Sequence, residues 1–288
     1  MDKWNLIIDV ERCENCNNCV LAAKDEHVGN DFPGYSAPAA QKGAELISIS
    51  RKVRGEAPVL DTAYLIKMCN HCDNAPCMKV GGDAISKRDD GIVIIDPEKA
   101  KGRKDIVKSC PYGAIVWNEE SQLPQTWIFD AHLLDQGWNK PRCAQSCPTS
   151  VFEAVKVSDA EMEQRAKAEE LEVLQPHFNA KPRVYYRNMH RYNKCFIGGT
   201  VTAQINGVEE CAEGAQVTLF KGGELRDDQQ LQSVQADVFG EFKLDKLDPN
   251  SGDYRIQVKH AEHGEAVREA VLGDSVYLGE IKLDSAAS

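Results

Sequence analysis

The chain has 288 residues and a mass of 31.9 kDa, enough for two ordinary domains and too few for three with a large cofactor fold among them. Hydrophobic residues at 42% and charged residues at 27% exclude a wholly disordered or collagen-like chain. A formal charge of −11 disfavours nucleic acid as a partner, because a polyanion binder presents a basic face.

The opening MDKWNLIIDVERC has no apolar signal region with a small-residue cleavage site. No apolar run approaches the ~18 to 20 residues of a membrane helix. A cytoplasmic location without membrane contact is therefore expected. The 11 cysteines are an odd number in a chain too large to need disulfide staples, so reduced thiols acting as metal ligands are the better reading.

The first motif, CENCNNC, spaces Cys13, Cys16 and Cys19 by two residues each. A loop with a thiolate at every third residue can wrap one corner of an iron-sulfur cube, whereas structural zinc prefers pairs of CxxC knuckles. The second, CNHCDNAPC, carries Cys69, Cys72 and Cys77, with His71 between two of the candidate ligands. Two cysteines then precede proline, Cys110-Pro111 and Cys147-Pro148. In bacterial-type ferredoxins the Cys before Pro ligates the cluster of the other motif. Nesting assigns one 4Fe-4S cluster to Cys13, Cys16, Cys19 and Cys147, and a second to Cys69, Cys72, Cys77 and Cys110.

Further along, Ser158 followed by Glu161 forms a capping box, and the residues to Leu174 read as a surface helix. The basic stretch KPRVYYRNMHRYNK (181–194) is expected to dock on a protein partner or on the chain's own acidic domain. From residue 195 the character changes, since this part carries −9 of the −11 charge and only Cys195 and Cys211 of the cysteines. Short β-rich runs are punctuated by Asn206-Gly207, Gly222-Gly223 and Asn250-Ser251-Gly252, which gives about seven strands. The expected class is α+β: a ferredoxin-like double 4Fe-4S domain (1–157), a helix and connecting segment (158–194), and a small all-β sandwich (195–288).

The order of NAPC (74–77), DGIVIIDPEKAKG (90–102), CPYGAIVWNEE (110–120), AHLLD (131–135) and KPRVYYRN (181–188) resembles the iron-sulfur small subunits of the dimethyl sulfoxide reductase family of molybdenum enzymes. Within that family the likeness is to the pyrogallol-phloroglucinol transhydroxylase and resorcinol hydroxylase type, and it extends into the C-terminal part. There, GTVTAQINGVEECAEGAQVTLF and DVFGEFKLDKL resemble the transthyretin-like or carboxypeptidase-regulatory sandwich.

Fuller members of the family carry four cysteine motifs and up to four cubanes, and this chain departs from them in pairs. Ala100, Arg103, Ile106 and Gly81 stand where the resemblance places one further cluster; Ala23, Trp127 and Asp130, beside Cys143, replace ligands of another. Trp127 is expected to fill vacated volume, and Cys143, Cys195 and Cys211 to behave as buried small hydrophobes. The resemblance implies a non-catalytic electron-transfer subunit with two 4Fe-4S clusters. Its partner would be a large subunit, holding the molybdopterin cofactor, that hydroxylates or transhydroxylates polyhydroxylated benzenes. The alternative is a structural subunit whose clusters stabilise the fold, because transhydroxylation carries no net electron demand.

Overall fold

The apolar run Leu6-Ile7-Ile8 is completely buried, as expected for a strand covered on both faces. In the computed structural model, which describes residues 1–43, 45–222, 225 and 227–283, the strand Lys3–Asp9 is the centre of a three-stranded sheet. Phe152–Val157 pairs with it antiparallel, Leu6 facing Ala154, and Val184–Arg187 pairs with it parallel, Leu6 facing Val184. Two small ribbons follow the cysteine motifs: Ile85–Lys87 with Val93–Ile95, and Val116–Asn118 with Leu123–Gln125.

The chain divides into two compact units, Met1–Arg51 with Tyr64–Met189, and Lys52–Ala63 with His190 onward. The hairpin formed by Ser48–Glu56 and Val59–Lys67 thus belongs to the first unit at its roots and to the second at its tip. The sequence carries no mark of this division, and the cysteine-based reading leaves residues 52–63 inside the iron-sulfur domain.

The helix after Ser158 is shorter than its composition suggests. It runs Asp159–Ala168, capped by the Ser158 hydroxyl, which accepts from the Glu161 N–H at 3.3 Å. Glu170 then turns left-handed (φ 51°) and Glu172 exchanges backbone hydrogen bonds with Tyr186, so pairing with the sheet ends the helix before Leu174. Four cations of the basic stretch are paired within the chain: Arg183 with Asp73 and Asp159, Arg187 with Glu169, Arg191 with Asp61 and Lys194 with Asp248.

The second unit is largely β. From Cys195 on it has eight strands among the described residues. Cys195–Ile205 is flanked by Glu241–Leu247 and Val208–Cys211, with Val276–Lys282 also pairing with it. The other sheet has the order Gln230–Gln235, Gln216–Lys221, Gly252–His260, Gly264–Leu272. Inward residues of both sheets, such as Val201, Phe242 and Leu244 with Leu219, Ile256 and Val258, share one apolar core. Asn206 and Gly207 both have positive φ (54° and 81°), the geometry a two-residue hairpin turn demands. Gly223 of the Gly222-Gly223 signal lies outside the described residues. Among the described residues no helix is long and apolar enough to cross a membrane.

The hairpin tip carries Arg54, whose side chain is fully buried. Its guanidinium donates to Asp245 at 2.9 Å, to the Lys194 carbonyl at 3.1 Å and to Asp61. Burial raises the Asp61 carboxyl, but hydrogen bonds from Arg191, Arg54 and Lys243 outweigh it and hold the group well below the usual carboxylate range. Arg54→Met is expected to cost the second unit about 3 kcal/mol or more, read from its denaturant midpoint, because it leaves buried carboxylates short of a partner. Its acid stability should be flat above the ordinary aspartate value of 3.8 and fall below it, as the depressed Asp61 is forced to take a proton.

Candidate iron-sulfur centres

Each cysteine motif wraps a tight loop and then enters a helix. In the first loop Asn15 and Asn17 are left-handed (φ 57° and 60°), a conformation Asn tolerates better than most residues. These reversals fall one between each pair of successive cysteines. Cys19 is the second residue of the helix Asn18–His27, and Cys77 is the second residue of the helix Pro76–Gly81. The distant cysteines arrive in matching fashion: Cys147 caps the end of Arg142–Ser146, and Cys110 follows Asp105–Lys108 and its cap Ser109. Asn18–His27 packs on Arg142–Ser146, and Pro76–Gly81 on Asp105–Lys108.

Cys69, Cys72, Cys77 and Cys110 line one pocket, whose other walls include Val93, Ile95, Ile115 and Tyr112. The thiols stand around its wall; among the described residues no three His, Cys, Asp or Glu side chains converge on a single-ion site. Burial pushes Cys69 up to about 12 and Cys77 up to about 11, with the Cys110 sulfur adding to both. Backbone N–H groups oppose the rise, that of His71 at Cys69 and that of Met78 at Cys77.

In the first set Cys13 and Cys19 each lie near Cys16 and Cys147 and near one another. Burial, then the sulfurs of Cys13, Cys147 and Cys16, push Cys19 up to about 12. Cys147 Sγ accepts from the Val151 N–H at 3.4 Å, and the Cys13 sulfur from the Asn15 N–H. Four thiols at each place, with backbone N–H groups on sulfur, fit a cubane, which takes one thiolate per iron. The metal-free thiols with raised values are protonated at neutral pH, so iron binding displaces their protons.

The departures from the fuller family pattern are packed. A Cβ on Gly81 would lie 2.4 Å from Ile85 Cγ1. Ala100 and Ile106 are completely buried in an apolar cluster with Ile85, Val93, Ile95 and Ile115, while Arg103 turns outward to Asp105. At the other place Trp127 is fully buried and stacked on Phe129 at 4.9 Å. His27 and Asp130, each 1% exposed, are 3.1 Å apart, and Asp130 also accepts from the Arg142 N–H at 2.7 Å. Cys143 is buried beside Asp130. Cys195 is buried too, but Cys211 is exposed, because its short strand Val208–Cys211 has no covered face.

His71 is neutral: burial, then the Lys87 and Arg183 charges, lower it to about 3, and Nδ1 accepts from the Val93 N–H at 3.1 Å. Two residues escape the motif reading. His27 is legible in the helical period, since Cys19, Val20, Ala23 and His27 share the buried face. Lys87, which reaches back to the second loop with donor bonds of 2.8 to 3.1 Å, has no sequence signal at all. Gly81→Ala is expected to destabilise the first unit by roughly 1–3 kcal/mol, measured as a lower denaturation midpoint, since the packed Ile85 side chain must move.

Known proteins are similar to this chain. The 4Fe-4S dicluster domain family matches residues 60–157. The pyrogallol hydroxytransferase small subunit of Pelobacter acidigallici is 42% identical over 288 residues, 98% of this chain and 100% of that protein. A tetrathionate reductase subunit of Salmonella typhimurium is 30% identical over 193 residues, 64% of this chain and 72% of that one. An iron-sulfur subunit assigned provisionally to dimethyl sulfoxide reductase in Halobacterium salinarum is 29% identical over 210 residues, 65% of this chain and 80% of that one. The chain belongs to the iron-sulfur small subunits of the dimethyl sulfoxide reductase family of molybdenum enzymes, of the pyrogallol hydroxytransferase type.

Proposed function

We propose that the chain carries electrons through two 4Fe-4S clusters, one held by Cys13, Cys16, Cys19 and Cys147 and the other by Cys69, Cys72, Cys77 and Cys110. The observation that carries this reading is the cavity bounded by four thiols, three from one loop and the fourth from 33 residues beyond Cys77. The paired helices that deliver Cys19 and Cys147 support the same arrangement for the first set. A cubane supplies one-electron steps; the protein's part is to bury the sulfurs, aim N–H groups at them and exclude competing ligands.

The partner in this reading is a large molybdopterin-containing subunit that hydroxylates or transhydroxylates a polyhydroxylated benzene. Its support is the full-length likeness to the Pelobacter protein. The C-terminal sheets form, on the same reading, a small sandwich of the transthyretin-like or carboxypeptidase-regulatory kind. It serves contacts rather than chemistry.

Anaerobically purified protein should contain about eight iron and eight sulfide per chain. Values near twelve would overturn the two-cluster count. Cys147→Ser should lose or convert one cubane, while Cys143→Ser, four residues earlier and buried beside Asp130, should leave both electron paramagnetic resonance signals intact. The opposite pattern would refute the crossed ligation.

A further inference from the structure

Lys87 ends the short strand Ile85–Lys87 and is mostly buried. Its ammonium turns into the loop between Cys69 and Cys77, donating to the carbonyls of His71 at 2.8 Å, Cys72 at 3.1 Å and Gly91 at 2.8 Å. It also pairs with Asp73 at 2.9 Å. Burial lowers the Lys87 ammonium, and the bond to Asp73 opposes that shift; an ammonium offers three donors and no acceptor, so a shell of carbonyl and carboxylate oxygens favours the charged form.

This placement bears on the sulfurs in two ways. The carbonyl oxygens of His71 and Cys72, the latter a proposed ligand, are held by Lys87. In addition, the countercharge is shared. Asp73 accepts from Arg183 Nε at 2.8 Å, and Arg183 in turn pairs with Asp159. Lys87 acts on the sulfurs of Cys72 and Cys77 as an opposite charge. The first set has a carboxylate for a neighbour instead, Glu14 beside Cys13.

We propose that Lys87 is an electrostatic positioning residue that raises the reduction potential of the cubane held by Cys69, Cys72, Cys77 and Cys110, and of that cubane alone. The inference rests on the two-cubane reading above. Reduction adds an electron to a body already anionic through its thiolates. A fixed positive charge across an apolar wall therefore favours the reduced state more than the oxidised one. The potential difference decides on which cubane an electron rests, tenfold for each 59 mV or so.

The test is a potentiometric titration of the full chain in complex with its large subunit, followed by electron paramagnetic resonance. The native protein is compared with Lys87→Arg, Lys87→Gln and Lys87→Met. One midpoint should fall in both neutral variants by enough to make that cubane at least tenfold more oxidised at the native midpoint, about 59 mV. The other midpoint should stay in place, and Lys87→Arg should keep both.

Unchanged midpoints in Lys87→Gln and Lys87→Met would overturn the proposal, as would equal shifts of both cubanes or a loss in Lys87→Arg as large as in the neutral variants. Loss of one cubane's iron from both neutral variants would overturn it too, because the charge would then serve assembly and not potential. Iron and sulfide are counted first on the native protein. A native complex without two cubanes would refute the proposed function itself, before any variant is compared.

Discussion

Buried sulfur is the constraint from which the first unit takes its form. A thiol pressed into an apolar wall resists ionisation, and a thiolate there needs a positive partner. Cys19, Cys69, Cys72 and Cys77 are all pushed up in the metal-free chain. Under the ligation proposed above, iron at each sulfur removes that penalty, which would give the fold a reason to gather thiols that otherwise repel as they ionise. Gathering them sets the architecture. Each loop ends in a helix, and each helix must pack on a short partner helix that delivers the distant cysteine. Asn18 and Ser146, 128 positions apart, exchange weak hydrogen bonds across one such pair. The central strand Lys3–Asp9 lies between Phe152–Val157 and Val184–Arg187, so the sheet brings the segment after Cys147 back beside the strand that precedes Cys13.

The two places where the resemblance sets further clusters are filled by different chemistry. One is apolar throughout, with Ile85 occupying the space a side chain at position 81 would need. The other keeps polar groups, and there burial requires that they satisfy each other: His27 with Asp130, Asp130 with the Arg142 N–H, His132 with Glu26 at 2.9 Å. A ligand set lost in part would leave an exposed, oxidisable thiolate. Here the single remaining cysteine, Cys143, is fully covered.

The second unit depends on a segment distant in sequence. Its sheets share one apolar core, yet the buried cation that ties Asp61 and Asp245 together comes from the hairpin tip around residue 54. Buried charge of this kind holds only when complete, so the hairpin tip is part of the unit's stability and not an appendage to it. Two carboxylates of the acidic segment after residue 194 are matched by cations from outside it, Asp245 by Arg54 and Asp248 by Lys194.

What the sequence determines by itself is the chemistry that depends on short spacing. Thiols two residues apart, Asn residues able to turn left-handed between them, and a proline after each distant cysteine are local features, and they point to iron-sulfur ligation without reference to any fold. The capping box at Ser158 and the Asn206-Gly207 hairpin are local in the same sense. Tertiary structure alone decides where the helix after Ser158 stops, because Glu172 is claimed by a strand partner 14 residues away. It also decides that residues 52–63 join the second unit, that Cys211 is exposed while Cys143 is not, and that the Lys87 ammonium meets the carbonyls of a loop 15 and 16 positions earlier. Each of these rests on a long-range contact between groups whose own neighbours in the chain are ordinary, and periodicity and spacing carry no information about such a contact until the chain has folded.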